Sequence, residues 1–78
     1  MRKYTVHCEW DPEAKVWYVV DSNVPGLATE ADTPHALFEK LLVIIPELVE
    51  LNEPDGDEEV PLELLWSHQG NVRLRQRV

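Results

Sequence analysis

Three histidines (His7, His35, His68) and one cysteine (Cys8) are the residues best equipped to hold a metal ion. A shared site needs their side chains to converge, and the spacing opposes it. His7 and Cys8 are neighbours in an alternating segment, so a strand there sends them to opposite faces. No C-x-x-C or H-x3-H spacing occurs. Cys8 reads as a small core hydrophobe. The acids Asp55, Asp57, Glu58 and Glu59 imitate a calcium loop, yet the sixth and twelfth positions, where an EF-hand needs Gly and Glu, are Val60 and Trp66. That stretch reads as a solvated loop. Asp11, Asp21 and Asp32 are carboxylates of the kind a two-metal nuclease gathers at strand ends. Each falls in or beside a turn, and turn or cap chemistry explains it more simply. Ser22 and Ser67 lie in turn-like or edge contexts and complete no Ser/His/Asp arrangement. The expectation is a protein that is not an enzyme, with no metal and no cofactor.

Charge narrows the choice of partner. The 78 residues carry fifteen acidic and seven basic side chains, a net of −8. Three of the basic ones, Arg73, Arg75 and Arg77, crowd into the last six positions. Residues 1–71 therefore hold four basic and all fifteen acidic residues, a net of −11. A field of that sign repels phosphate backbones and attracts basic partners. The alternate arginines share one face of an extended segment. There they could touch phosphates, pair with the acid-rich body, or blunt a sheet edge. Nucleic acid is not expected as the partner of this domain alone.

The elements that must position these residues are legible in the hydropathy pattern. Tyr4–Trp10 alternates, with Tyr4, Val6, Cys8 and Trp10 on one face and Lys3, Thr5, His7 and Glu9 on the other. Asp11–Lys15 is a turn by composition, so the first two strands should form an antiparallel hairpin. Val16–Val20 is apolar on both faces, with Val16, Tyr18 and Val20 opposite Trp17 and Val19, so its second face needs a cover. A partner subunit and the C-terminal segment are the candidates. Pro25-Gly26 suits the central positions of a type II turn, and Leu27–Ala31 is a short extended segment. Thr33 and Pro34 read as an N-cap and first helical residue.

The helix then carries Leu37, Leu41, Ile44, Leu48 and Leu51 on one stripe and Phe38, Leu42, Ile45 and Val49 on the next. That surface is wider than one thin sheet requires, and the surplus predicts a homo-oligomer, most simply a dimer. Pro46 predicts a kink or break near Ile45. Asn52–Glu59 is an acidic loop. Val60–His68 resumes alternation as a strand, Gln69-Gly70-Asn71 signals a turn, and Val72–Val78 alternates again as a candidate fifth strand. One small domain of modest stability, on the order of 5 kcal/mol, is implied. The N-terminus has no apolar signal region, the longest apolar run is far short of a membrane span, and a lone cysteine suits a reducing compartment. A cytoplasmic protein is expected.

The order Tyr4–Trp10, Val16–Val20, Val24-Pro25-Gly26-Leu27, Ala28–Thr33 and Pro34–Leu51 resembles the HicB-like antitoxin family over roughly two-thirds of the chain. It is most like the short single-domain members. Ala31 stands where glycine is usual there, and Pro34-His35-Ala36 replaces an acidic helix start. The resemblance implies an α+β fold: a three- to four-stranded antiparallel sheet packed against one long kinked helix, in the order β-β-β-α-β, on a degraded ribonuclease-H-like scaffold. It also implies a role, binding and occluding a small basic ribonuclease toxin of the HicA type. Many relatives add a C-terminal DNA-binding domain, for which this chain leaves no room. Occlusion would need an acidic, aromatic-bearing patch, assigned here to Trp17, Asp21, Glu30 and Asp32 around the Pro25-Gly26 turn. The rival role is a stand-alone oligomeric scaffold or small-molecule-binding module with no toxin.

Overall fold

Alternating residues form strand β1, Tyr4–Asp11, in the computed structural model, which describes residues 3–52 and 59–76. Val6 and Cys8 on its inner face are fully buried. The Asp11 carboxylate accepts hydrogen bonds from the Glu13 and Ala14 N–H groups at 3.0 and 3.2 Å, closing the hairpin loop. Lys15 leaves that loop with φ +58° and donates its N–H to the Asp11 carbonyl at 2.7 Å. Strand β2, Val16–Ser22, then runs antiparallel to β1. Its register holds Asp11 opposite Val16 through Cys8 opposite Val19, then shifts so that His7 faces Asp21. Val20 is the extra residue of a β-bulge.

At the end of β2, Asn23 continues the ladder with its side chain. Its Oδ1 accepts from the Thr5 N–H at 2.9 Å and its Nδ2 donates to the Lys3 carbonyl at 2.8 Å. Pro25-Gly26 turns the chain with Gly26 at φ +76° and a Leu27 N–H bond to the Val24 carbonyl, as a type II turn requires. Strand β3 is only Glu30–Ala31, paired antiparallel with β2. Thr33 caps the next element: its Oγ1 accepts from the Ala36 N–H at 3.0 Å. Helix α1, Pro34–Asn52, follows. It runs unbroken through Pro46, so of the expected kink or break near Ile45 the break does not occur.

Strand β4, Leu62–Ser67, pairs parallel with β1, Tyr4 opposite Leu62 through Glu9 opposite Ser67. The sheet order is β3-β2-β1-β4. The sheet is thus mixed, where an antiparallel one was expected. The reason is topological. The helix carries the chain from β3 at one edge to β4 at the other, and a crossover returns the strand in a parallel sense. The α+β class and the order β-β-β-α-β stand.

The helix lies on one face of the sheet. Leu37, Leu41 and Ile45 pack with Val6, Cys8, Val24 and Ala31 in a seven-residue buried core. Beside it, on the same face, sits an aromatic group. The Trp17 ring lies 5.6 Å from Trp10, 5.5 Å from Trp66 in a T-shaped contact, and 5.6 Å from His68. Much of the apolar helix surface stays open, with Phe38, Leu42, Val43 and Leu51 exposed. No strand is present in residues 68–76. Most of the acidic loop (53–58), Arg77 and Val78 lie outside the described residues, and with them Asp55, Asp57 and Glu58 of the calcium-like run.

Candidate functional site

The face of the sheet opposite α1 has no element covering it among the described residues. Which side chains it carries follows from the registers. His7 and Glu9 alternate with buried Cys8, so both point outward. Glu9 faces Tyr18 across β1 and β2, and Tyr18 faces Glu30 across β2 and β3. Glu9, Tyr18 and Glu30 therefore form one rung across three strands, at about 4.8 Å per step. The next rung runs from Asp21 through His7 to Leu65. His7 Nε2 lies 2.8 Å from Ser67 Oγ, which ties β1 to β4 on this side. Lys3 Nζ sits 3.1 Å from a Glu63 carboxylate oxygen at the same edge, an exposed pair that adds little stability. Two shallow, open depressions adjoin this face. One, about 400 Å³, is walled by residues 19–27 at the Pro25-Gly26 turn. The other, about 300 Å³, lies among Thr5, His7, Asp21 and Leu65.

The expected patch of Trp17, Asp21, Glu30 and Asp32 is divided by the sheet. Trp17 faces the helix side, opposite buried Ala31 and against the core. Asp21 and Glu30 lie on the open face, both exposed, and Asp32 is exposed just before the helix cap. Strict alternation from Trp17 would have kept Asp21 on its side. The bulge at Val20 inserts one residue and reverses the parity. Tyr18 takes the place intended for Trp17 as the aromatic beside the acids. Glu9 joins it, although only the hairpin register reveals that pairing. The Glu30 backbone is held from the helix, its carbonyl accepting a 2.6 Å bond from Lys40 Nζ.

This face offers carboxylates, one phenol and apolar patches at Val20 and Leu65, arranged on a nearly flat surface. It suits binding of a cationic, partly apolar partner. Among the described residues, no group of three or more His, Cys, Asp or Glu side chains could hold a metal ion. Cys8 is fully buried in the core, and burial pushes its thiol up to about 11. Among the described residues, no helix is long and apolar enough to cross a membrane.

Comparison with known proteins places the chain without assigning a role. The structure matches that of the hypothetical protein TTHA1013 from the extremely thermophilic bacterium Thermus thermophilus, with 42% sequence identity and a TM-score of 0.67. The match covers 94% of this chain and all of that one. No curated protein matches. Residues 3–75 match the family described as a domain of unknown function, DUF1902, and the chain belongs to that family.

Proposed function

We propose that this domain is a non-catalytic binding module of the antitoxin type, which occludes a small basic protein, a HicA-like ribonuclease toxin, with the open face of its sheet. The observation that carries the reading is the Glu9–Tyr18–Glu30 rung beside Asp21, on a face that no described helix covers. Carboxylates there complement lysines and arginines of a cationic RNA-binding surface, while Tyr18, Val20 and Leu65 supply contact area. The net −11 of residues 1–71 steers the encounter from a distance. The resemblance of the strand, turn and helix order to HicB-like antitoxins points the same way.

The test is co-expression with the small basic proteins encoded beside this gene, read as growth rescue and as co-purification. A partner should associate more slowly as salt rises to physiological strength, with dissociation changing less. Glu9→Lys combined with Glu30→Lys should weaken its binding at least tenfold and leave the thermal melt unchanged. The chain alone should cleave no RNA, with or without magnesium. No partner and no rescue, or a partner indifferent to the double reversal, would overturn the reading.

A further inference from the structure

The molecule is long for its size. Its extents are 67 × 27 × 18 Å and its radius of gyration is 16.5 Å, against about 11.5 Å for a compact chain of this length. Residues 68–76 carry no helix or strand and are exposed throughout, and nine residues of chain can reach up to about 30 Å. His68 belongs to the aromatic group, its ring tilted against Trp10 and T-shaped to Trp17. Beyond it, through residue 76, no hydrogen bond, ion pair or ring contact ties this arm to the described residues of the body. Val72 and Leu74 are 85% and 86% exposed.

The arm nonetheless has the sequence of a strand. Val72 and Leu74 alternate with Arg73 and Arg75, and Gln69-Gly70-Asn71 before them has the composition of a hairpin turn. The strand it would pair with is ready. In the order β3-β2-β1-β4, one edge of β4 is free among the described residues, and Leu65 and Trp66 along it are exposed. Yet residues 69–71 form no turn, and the arm leaves its own β4 uncovered. A hinge opened in this way, with both the strand and its acceptor edge unpaired, is the geometry of segment exchange.

We propose that the arm forms the fifth strand of a second copy's sheet, pairing antiparallel with the free edge of that copy's β4 in a reciprocal exchange. Charge favours a second copy as the occupant. The described part of the arm is purely basic, whereas the body it meets carries the net −11. In the register of a three-residue turn, Val72 and Leu74 fall beside His68 and Trp66 on the helix side. Arg73 and Arg75 then fall beside Ser67 and Leu65 on the open face, toward Glu63. Exchange covers an exposed sheet edge, which otherwise invites uncontrolled pairing. It leaves the Glu9–Tyr18–Glu30 rung free.

Light scattering on the full chain at about 100 µM should give about 18 kDa, twice the 9.0 kDa of one chain. Val72→Asp with Leu74→Asp, both on the solvent-exposed arm, should return it to one chain's mass with the melt of the body unchanged. Leu65→Cys with Arg75→Cys, in a Cys8→Ser background, should oxidise to a covalent dimer. A single-chain mass for the unaltered protein, a dimer that survives the two aspartates, or a disulfide closed within one chain would each overturn the proposal.

Discussion

His7 on β1 and Ser67 on β4 share a 2.8 Å side-chain hydrogen bond across the parallel pair, on the open side of the sheet. Their strands are joined in sequence only through β2, β3 and the helix. Ser67→Ala should cost about 1 kcal/mol, the net worth of one part-buried hydrogen bond. Urea unfolding monitored by circular dichroism measures it, and the loss should be absent in a His7→Ala background, where the partner is already gone.

Two positions between β2 and α1 act through the backbone. Gly26 holds φ +76° with open space around its Cα, so Gly26→Val should destabilise by about 1–2 kcal/mol through strain alone. Thr33→Ala removes the acceptor of the Ala36 N–H and should cost about 1 kcal/mol. Denaturant midpoints of the two variants, and of the pair together, check both values.

Lys15 sits at φ +58° without being glycine. Lys15→Gly relieves that conformation but frees the unfolded chain, and relief should win by a few tenths of a kcal/mol up to about 1. A rise in melting temperature is the expected readout.

Cys8 makes the fold sensitive to alkali. Its thiol is raised from 9.0 to about 11 by desolvation, so between those values the folded state keeps a proton that the unfolded state gives up. Stability should be unaffected by this group below pH 9 and should fall as pH climbs toward 11, with a slope of up to about 1.4 kcal/mol per pH unit. Cys8→Ala should flatten that part of the profile. Native protein at pH 8 should also resist thiol reagents until it is unfolded.

Pro46 lies on the exposed side of an unbroken helix and brings no N–H to the Leu42 carbonyl. Pro46→Ala should stabilise the domain by about 2 kcal/mol, the helix penalty of proline less its restriction of the unfolded chain. Hydrogen exchange around residues 42–48 should slow in the variant.

Much of this fold is written locally. Alternation around Val6 and Cys8, the Pro25-Gly26 turn and the Thr33-Pro34 cap each depend on a few adjacent residues, so β1, β2 and the helix start could be read directly. Two features depend on distant partners and could not. The direction of β4 follows from where the helix delivers the chain, which no property of Leu62–Ser67 encodes. The side chosen by Asp21 follows from a bulge at Val20 that only the pairing with His7 and Cys8 exposes. The candidate face suffered accordingly: Asp21 and Glu30 were legible as exposed acids, while Tyr18 and Glu9 became neighbours only through register. The apolar surplus of the helix was legible too. At Pro46 local propensity predicts a kink or break, but it does not register the buried contacts of Leu41 and Ile45, which favour one continuous helix.

All three tryptophans of the chain meet in the aromatic group, with Trp17 between Trp10 and Trp66. Every indole photon therefore originates from one spot, where β1, β2 and β4 come together. Coupling between Trp10 and Trp17, 5.6 Å apart, belongs to the β1–β2 hairpin, whereas coupling between Trp17 and Trp66, 5.5 Å apart, adds a chiral optical signal that exists only while β4 is docked. The protein carries its own reporter for the attachment of its last strand, readable without a label.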